Sequence, residues 1–116
     1  MDETGMGIKI ITGGVTAARG FKAASTAAGI KYKDRQDMAM IYSQEPCRSA
    51  GTFTTNIVKA APVKWDKNQV TSGAPARAVV INAGIANACT GEEGMGYCGQ
   101  TAEAAALALG ISAESV

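Results

Sequence analysis

Residues 87–94, NACTGEEG, place a thiol, a hydroxyl and a glycine side by side, and each could take part in chemistry. Cys89 is a candidate nucleophile, because thiols attack carbonyl carbons readily. Thr90 and Gly91 are a candidate oxyanion hole, since a strand-to-helix loop can aim a hydroxyl and a backbone N–H at one point near a helix N-terminus. Taken alone, the same pair is also compatible with an ordinary helix cap and turn.

The neighbouring groups are less well suited to catalysis. A thiol among small residues is usually a buried packing group, and the chain has no histidine to ionise Cys89. Glu92 and Glu93 could act as acid and base, but adjacent side chains point in different directions. Two carboxylates just before a helix also interact favourably with its positive N-terminal end, so the sequence favours that role for this pair.

Three glycines, Gly94, Gly96 and Gly99, match the spacing G-x-G-x-x-G of dinucleotide-binding loops. In such loops the glycines follow their strand immediately, whereas residues 85–93 intervene here. In so glycine-rich a chain the spacing is best explained by chance, and no nucleotide site is predicted from it.

The composition restricts the remaining possibilities. The chain has 116 residues, one domain at most, and a formal net charge of +1. Its basic residues are spread from Lys9 to Arg77 without a run, which predicts neither nucleic acid nor a membrane as partner. No export signal and no apolar stretch approaching the length of a membrane span is present, so we expect a soluble, cytoplasmic protein.

The chain contains three cysteines and no histidine. An odd number of cysteines without an export signal disfavours a disulfide framework, and a zinc site is poorly supplied with ligands. Neither a Ser-His-Asp nor a Cys-His mechanism can be completed within these residues. Any catalysis therefore needs another base or another polypeptide.

The elements around residues 87–94 follow from local patterns. A continuous β-branched run at 77–84 predicts a central strand covered on both faces. Residues 99–109 predict an alanine-rich helix that is stopped by Gly110 and packed tightly on a sheet. Residues 51–58 alternate β-branched and aromatic side chains before Pro62, which predicts another strand.

The N-terminal half is more ambiguous. Alanines in residues 20–30 weakly favour a helix. The polar, turn-like stretch 31–37 and the short apolar run 38–43 then favour a hairpin instead. Composition and periodicity leave both alternatives open.

Four segments resemble the ornithine acetyltransferase family, also called glutamate N-acetyltransferase, and they occur in family order over most of the chain. They are GGVTAARGFKAA, AGTFTTNIVKAAPV, VVINAGIANACTG and the alanine-rich helix that follows. The family characteristically carries GGVTA-x-x-GF, FTTN-x-VKAAPV and N-[SA]-G-x-ANACTG stretches with this kind of spacing. Family members continue with an STGVIG-like stretch and an internal cleavage site, neither of which occurs in these residues.

The resemblance implies an α/β (α+β) fold, a layered αββα sandwich like that of N-terminal nucleophile enzymes, incomplete in this chain. Residues 1–116 would be a single-domain fragment, the N-terminal part of the α chain, and 20–30 would be a strand. The family precursor cuts itself, and the new N-terminal threonine of the β chain carries acetyl from N-acetylornithine to glutamate. The family's oxyanion hole maps onto Thr90 and Gly91.

On the same resemblance, the β chain is the expected partner, in an α2β2 heterotetramer. No cofactor and no metal is expected, and acetyl-CoA would enter only as a substrate. The absent histidine is then understandable, because an N-terminal threonine uses its own α-amine as base. Two alternatives stay open, an N-terminal nucleophile aminopeptidase of similar fold and a non-catalytic glycine-rich binding module.

Overall fold

The computed structural model describes residues 5, 7–85, 87 and 91–116. Two helices and a three-stranded antiparallel sheet are the main elements of this part of the chain. In chain order the elements are a 3-10 helix Val15–Ala17, β1 Phe21–Thr26, β2 Met38–Cys47, α1 Ala61–Thr71, β3 Ala76–Asn82, α2 Gly91–Leu109 and a 3-10 helix Ala113–Ser115.

Of the two alternatives for residues 20–43, the hairpin is confirmed and the weak helix is wrong. β1 and β2 pair antiparallel, with Phe21 opposite Ser43 and Thr26 opposite Met38. The strand implied for residues 20–30 therefore ends at Thr26, and a loop of residues 27–37 leads into β2. Two positive φ angles bend this loop, +74° at Gly29 and +57° at Asp34. Both residue types tolerate that conformation.

The strand predicted at 77–84 forms as β3, but its predicted central position is wrong within the described residues. The strand order is β1-β2-β3, so β2 is in the middle and β3 pairs with it alone. Val79 and Ile81 are 52% and 47% exposed, whereas Ala78 is buried. The β-branched run indicated strand correctly, but the cover over one of its faces is not supplied by this part of the chain.

At the opposite end of the sheet from the hairpin loop, Arg77 joins β3 to β2. Its guanidinium donates to the carbonyl oxygens of Ser43 and Gln44 at 3.3 and 2.5 Å, and to the Tyr42 hydroxyl at 2.8 Å. The strand register shifts between Tyr42 and Cys47, and the side chain spans this irregularity. Arg77 thus replaces ladder hydrogen bonds that the shift removes.

The strand predicted for residues 51–58 is wrong, because this segment has no regular secondary structure. The side chains alternate as they would on the two faces of a strand, but no strand of the described chain pairs with them. Ile57 is 98% exposed, and the Phe53 ring folds back onto Gly51, where an added Cβ would lie 2.7 Å from Cζ. Without a neighbouring strand, β propensity does not produce a strand.

Helix α1 was not predicted. Pro62 lies in its first turn, where proline costs no hydrogen bond and presets φ, so the residue that was expected to close a strand in fact opens a helix. Trp65 and Gln69 of α1 donate to the carbonyl oxygen of Val116 at 3.3 and 2.7 Å. These bonds fix α1 to the last residues of the chain.

Helix α2 ends at Leu109, and Gly110 follows with φ +69°, as predicted. Ala102, Ala105 and Ala106 are its buried face, while Leu107 is 87% exposed. Burial is therefore confined to one side of the helix, not spread over every side as the alanine content suggested.

The two helices lie over one face of the sheet, the face that carries Met38, Ala78 and Val80. The other face carries Ile41, opposite Val79, and Ala39, opposite Ile81. It has no helix or second sheet against it within the described residues. The arrangement is one helix layer on one sheet, or half of the predicted four-layer sandwich. No helix in the described ranges is long and apolar enough to cross a membrane.

Candidate functional site

Gly91 is the first residue of α2, and its φ is +58°. A Cβ built on it would meet no heavy atom of the described chain within 4 Å, so the requirement for glycine there is conformational, not one of space. The first N–H groups of a helix have no intrahelical partner and lie at its positive end. Gly91 therefore lies at the end of α2 where negative charge is favoured. Thr90 and Cys89 lie outside the described residues.

Asn87 fastens the loop between β3 and α2 to both helices. Its backbone carbonyl oxygen accepts a hydrogen bond from the N–H of Ala61 at 3.2 Å. Its side-chain amide donates to the carbonyl oxygen of Gly94 at 2.9 Å and to the sulfur of Cys98 at 3.7 Å. The residue was part of the stretch NACTGEEG, but sequence reasoning gave it no role. An asparagine in a strand-to-helix loop was the available signal, because its amide can donate to a neighbouring helix.

We expect Asn87→Ala to lower the free energy of unfolding by about 1 kcal/mol, the ordinary net value of one hydrogen bond. Gly94 is buried, so water would replace the lost hydrogen-bond donor to its carbonyl oxygen only poorly. Thermal unfolding of the full-length protein measures the effect, with Gln100→Ala on the exposed side of α2 as control. Equal melting temperatures for Asn87→Ala and the control would show that this amide contributes nothing to stability.

Glu92 and Glu93 lie in the first turn of α2, whereas the sequence pattern placed them before a helix that began at Gly99. Both are exposed, and the Glu93 carboxylate accepts a hydrogen bond from the Tyr97 hydroxyl at 2.5 Å, one turn further along. That hydrogen bond and the carboxylate charge raise the pKa of Tyr97 above its ordinary value. Glu93 therefore interacts with its own helix, and both carboxylates lie at the positive end of α2, where acidic residues are favoured.

The other candidate residues, three glycines and Cys98, lie in surroundings that do not suit binding or catalysis. Gly94, Gly96 and Gly99 are inside α2, so they do not form a phosphate-binding loop. Burial, followed by the nearby Asp66 charge, raises the pKa of Cys98. A raised pKa keeps this thiol protonated at neutral pH and a poor nucleophile. No group of three or more potential metal ligands occurs among the residues described.

A cleft of about 720 Å³ lies between the helices and the sheet. Trp65 and Val70 of α1, Thr101 of α2 and Met38 and Val80 of the sheet are among its lining residues. Gly91 does not line it. The cleft is mostly apolar and follows the gap between two layers, so it offers no second candidate for the chemistry.

Comparison with known proteins places this arrangement in one family. The model of the ArgJ family matches residues 22–116. The arginine biosynthesis bifunctional protein ArgJ of Gloeobacter violaceus is 48% identical over 106 residues, which are 91% of this chain and 26% of that protein. The protein of the same name from Mycolicibacterium paratuberculosis is 52% identical over 97 residues, 83% of this chain and 24% of that protein. The chain thus spans about a quarter of the length of these curated relatives.

Two solved structures share the fold. The ornithine acetyltransferase of Mycobacterium tuberculosis complexed with ornithine has a TM-score of 0.83 and 47% identity, over 89% of this chain and 56% of that one. The arginine biosynthesis bifunctional protein ArgJ of Bacillus halodurans has a TM-score of 0.83 and 35% identity, over 90% of this chain and 54% of that one. The predicted layered fold, incomplete in this chain, is confirmed. The family match and the identities show that the chain belongs to the ArgJ family.

Proposed function

We propose that this chain is the N-terminal part of the α chain of an ornithine acetyltransferase, and that it supplies the oxyanion hole. The observation that carries the proposal is Gly91, which is the first residue of α2 and has a φ of +58° that favours glycine. Relatives named bifunctional ArgJ proteins and an ornithine acetyltransferase complexed with ornithine support the reaction class.

The reaction proceeds in two acyl transfers. The N-terminal threonine of the β chain, deprotonated by its own α-amine, attacks the acetyl carbonyl carbon of N-acetylornithine. The carbonyl oxygen becomes negative, and the Thr90 hydroxyl and the Gly91 N–H donate hydrogen bonds to it. The tetrahedral intermediate collapses, the amine of ornithine leaves with a proton, and the acetyl group stays on threonine. The amine of glutamate then attacks this ester, and N-acetylglutamate leaves.

The composition of the chain is consistent with a nucleophile and a base that belong to another polypeptide. The chain has no histidine, so a base must come from elsewhere. We place that base and the nucleophile on the β chain, which arises by self-cleavage of a common precursor, and we expect an α2β2 heterotetramer in the cytoplasm. Acetyl-CoA, if used, would enter as a second acetyl donor at the same oxyanion hole.

The activity is tested in the full-length protein by following N-acetylglutamate formation from N-acetylornithine and glutamate. We expect glutamate-dependent transfer and no release of amino acids from peptides. Peptide hydrolysis without transfer would favour the aminopeptidase alternative. A protein that binds nucleotide and catalyses neither reaction would favour the binding module.

Two neighbouring substitutions separate the hydroxyl from the thiol. We expect Thr90→Ala to lower kcat at least about tenfold, because one of two donors to the oxyanion is lost. We expect Cys89→Ser to keep nearly wild-type activity, since the chain has no histidine to ionise the thiol. Inactivation of a folded Cys89→Ser protein, or thiol labelling that substrate blocks, would show that the sulfur is the reacting group.

A further inference from the structure

Asp37 is a buried carboxylate at the junction between the hairpin loop and β2, and it is 7% exposed. Its side chain accepts hydrogen bonds from the backbone N–H groups of Ala28 at 2.6 Å and Ile30 at 2.9 Å. Gly29, between these donors, has φ +74°, a conformation that glycine adopts without strain. One side chain therefore fixes the backbone of the hairpin loop.

The same residue also holds the start of the loop that leads to Gly91. Its carbonyl oxygen accepts a hydrogen bond from the N–H of Ala83 at 2.9 Å, directly after the end of β3. The next residue, Gly84, has φ +103°, and a Cβ there would lie 3.1 Å from the Cβ of Lys31. The hairpin loop and the segment after β3 are thus in close contact at Asp37.

Two anchors therefore hold described residues between β3 and α2. The first is Asp37, which bonds Ala83, and the second is Asn87, which bonds Ala61 and Gly94. Gly91 follows only four positions after Asn87. A shift at either anchor would move the start of α2 relative to an attacking nucleophile.

We infer that Asp37 is a positioning residue for acetyl transfer, one that orients the Gly91 N–H by clamping the hairpin loop to the segment after β3. The inference rests on the proposed function. The N–H groups of Ile30 and Ala28 lower the pKa of Asp37, so its carboxylate is ionised at neutral pH and accepts both bonds. Asp37 does not touch the reacting atoms in this account.

The test is kinetic and uses the full-length protein. Asp37→Asn replaces one acceptor oxygen by an NH2 group that faces backbone donors, which should loosen the clamp. We expect kcat to fall by about 10- to 100-fold, as small misplacements of catalytic groups do. KM for N-acetylornithine should change by less than about threefold, because binding groups are left in place. A fall in kcat/KM that came mainly from KM would overturn the inference.

A control separates positioning from general stability. Arg77→Lys disrupts hydrogen bonds at the other end of the same sheet, so it should lower the melting temperature but leave kcat close to wild type. A loss of kcat in this control as large as in Asp37→Asn would overturn the positioning role. If Asp37→Asn does not accumulate as folded protein, Gly84→Ala makes the same test from the other loop, because its Cβ would push Lys31 away. Folded Gly84→Ala with wild-type kcat would also overturn it.

A double-mutant cycle with Gly91→Ala gives a readout that a purely structural role would not affect. If Asp37 acts through Gly91, the two losses in kcat should be clearly less than multiplicative when combined. Multiplicative losses in kcat would overturn the positioning role of Asp37 and would leave the proposed function standing. Failure of the wild-type protein to transfer acetyl at all would instead overturn the proposed function, so the two failures are distinguishable.

Discussion

Gly91→Val should lower kcat for acetyl transfer by about 100- to 1,000-fold, the effect of losing an oxyanion donor. The reason is conformational. The φ of Gly91 is +58°, and valine, which is branched at Cβ, is a strong outlier in that region. The backbone would have to rotate, and the N–H would turn away from the carbonyl oxygen. Steady-state kinetics of the full-length protein measure the loss.

Two matched variants make the result specific. Gly91→Asn should lower kcat far less than Gly91→Val does, since asparagine tolerates positive φ. Gly96→Ala adds a methyl group to an exposed glycine of the same helix, where the added Cβ meets nothing within 4 Å. It should keep wild-type kcat and gain stability of about 0.5–1 kcal/mol. Equal activity of Gly91→Val and Gly96→Ala would remove Gly91 from the site.

Residues 1–116 purified alone should show no turnover, which is the second large effect. The proposed nucleophile and base belong to the β chain, and Thr90, inside the chain, has no α-amine to deprotonate its hydroxyl. Ile41, Val79 and Ile81 on the uncovered sheet face should also make this fragment self-associate. Acetyl-transfer assays and size-exclusion chromatography of the fragment, beside the full-length protein, measure both properties.

Turnover by the purified fragment, free of contaminating enzyme, would contradict the assignment of the nucleophile to another chain. A monodisperse, stable monomer would contradict the expectation that the sheet face needs a cover. Restoration of activity when the remaining polypeptide is present during folding would support both parts. The two observations are independent, since activity and association are measured separately.

Local sequence predicted those elements whose partners lie nearby. The hairpin of β1 and β2 was indicated by a turn-like stretch and a short apolar run that are contiguous in the chain, although the alanines of residues 20–30 favoured a helix and only the family resemblance implied the strand. The end of α2 needed only Gly110, whose conformation stops a helix. Elements of this kind depend on local chemistry, so local sequence could indicate them.

Elements that depend on distant partners were predicted poorly. Residues 51–58 have the composition of a strand but lack a pairing neighbour in the described chain. Helix α2 begins at Gly91 and not at Gly99, because tertiary packing overrides the low helix propensity of its glycines. Gly94 is buried where Asn87 bonds it, and an added Cβ on Gly99 would make ordinary contact with Trp65, at 3.8 Å. No local pattern contains these contacts.

The candidate site shows the same limit. Its donor Gly91 was identified through the stretch NACTGEEG and the family resemblance, and its position at a helix N-terminus agrees with that role. The residues that hold the loop in place were missed. Asp37 is 54 positions before Gly91 in the chain, and only the fold brings its carbonyl oxygen to Ala83. A contact between residues far apart in the chain produces no local pattern in the sequence from which it could be predicted.

The central claim, that the start of α2 stabilises the oxyanion during acetylation, is tested most directly by a single turnover. Full-length protein is mixed with N-acetylornithine without glutamate, and ornithine release is followed in time. We expect a burst of about one ornithine per active site, as a ping-pong acyl-enzyme requires. In Gly91→Val the burst rate should fall about 100- to 1,000-fold, with little change in the substrate concentration at half-saturation. A folded Gly91→Val protein that releases ornithine at the wild-type rate would contradict the claim.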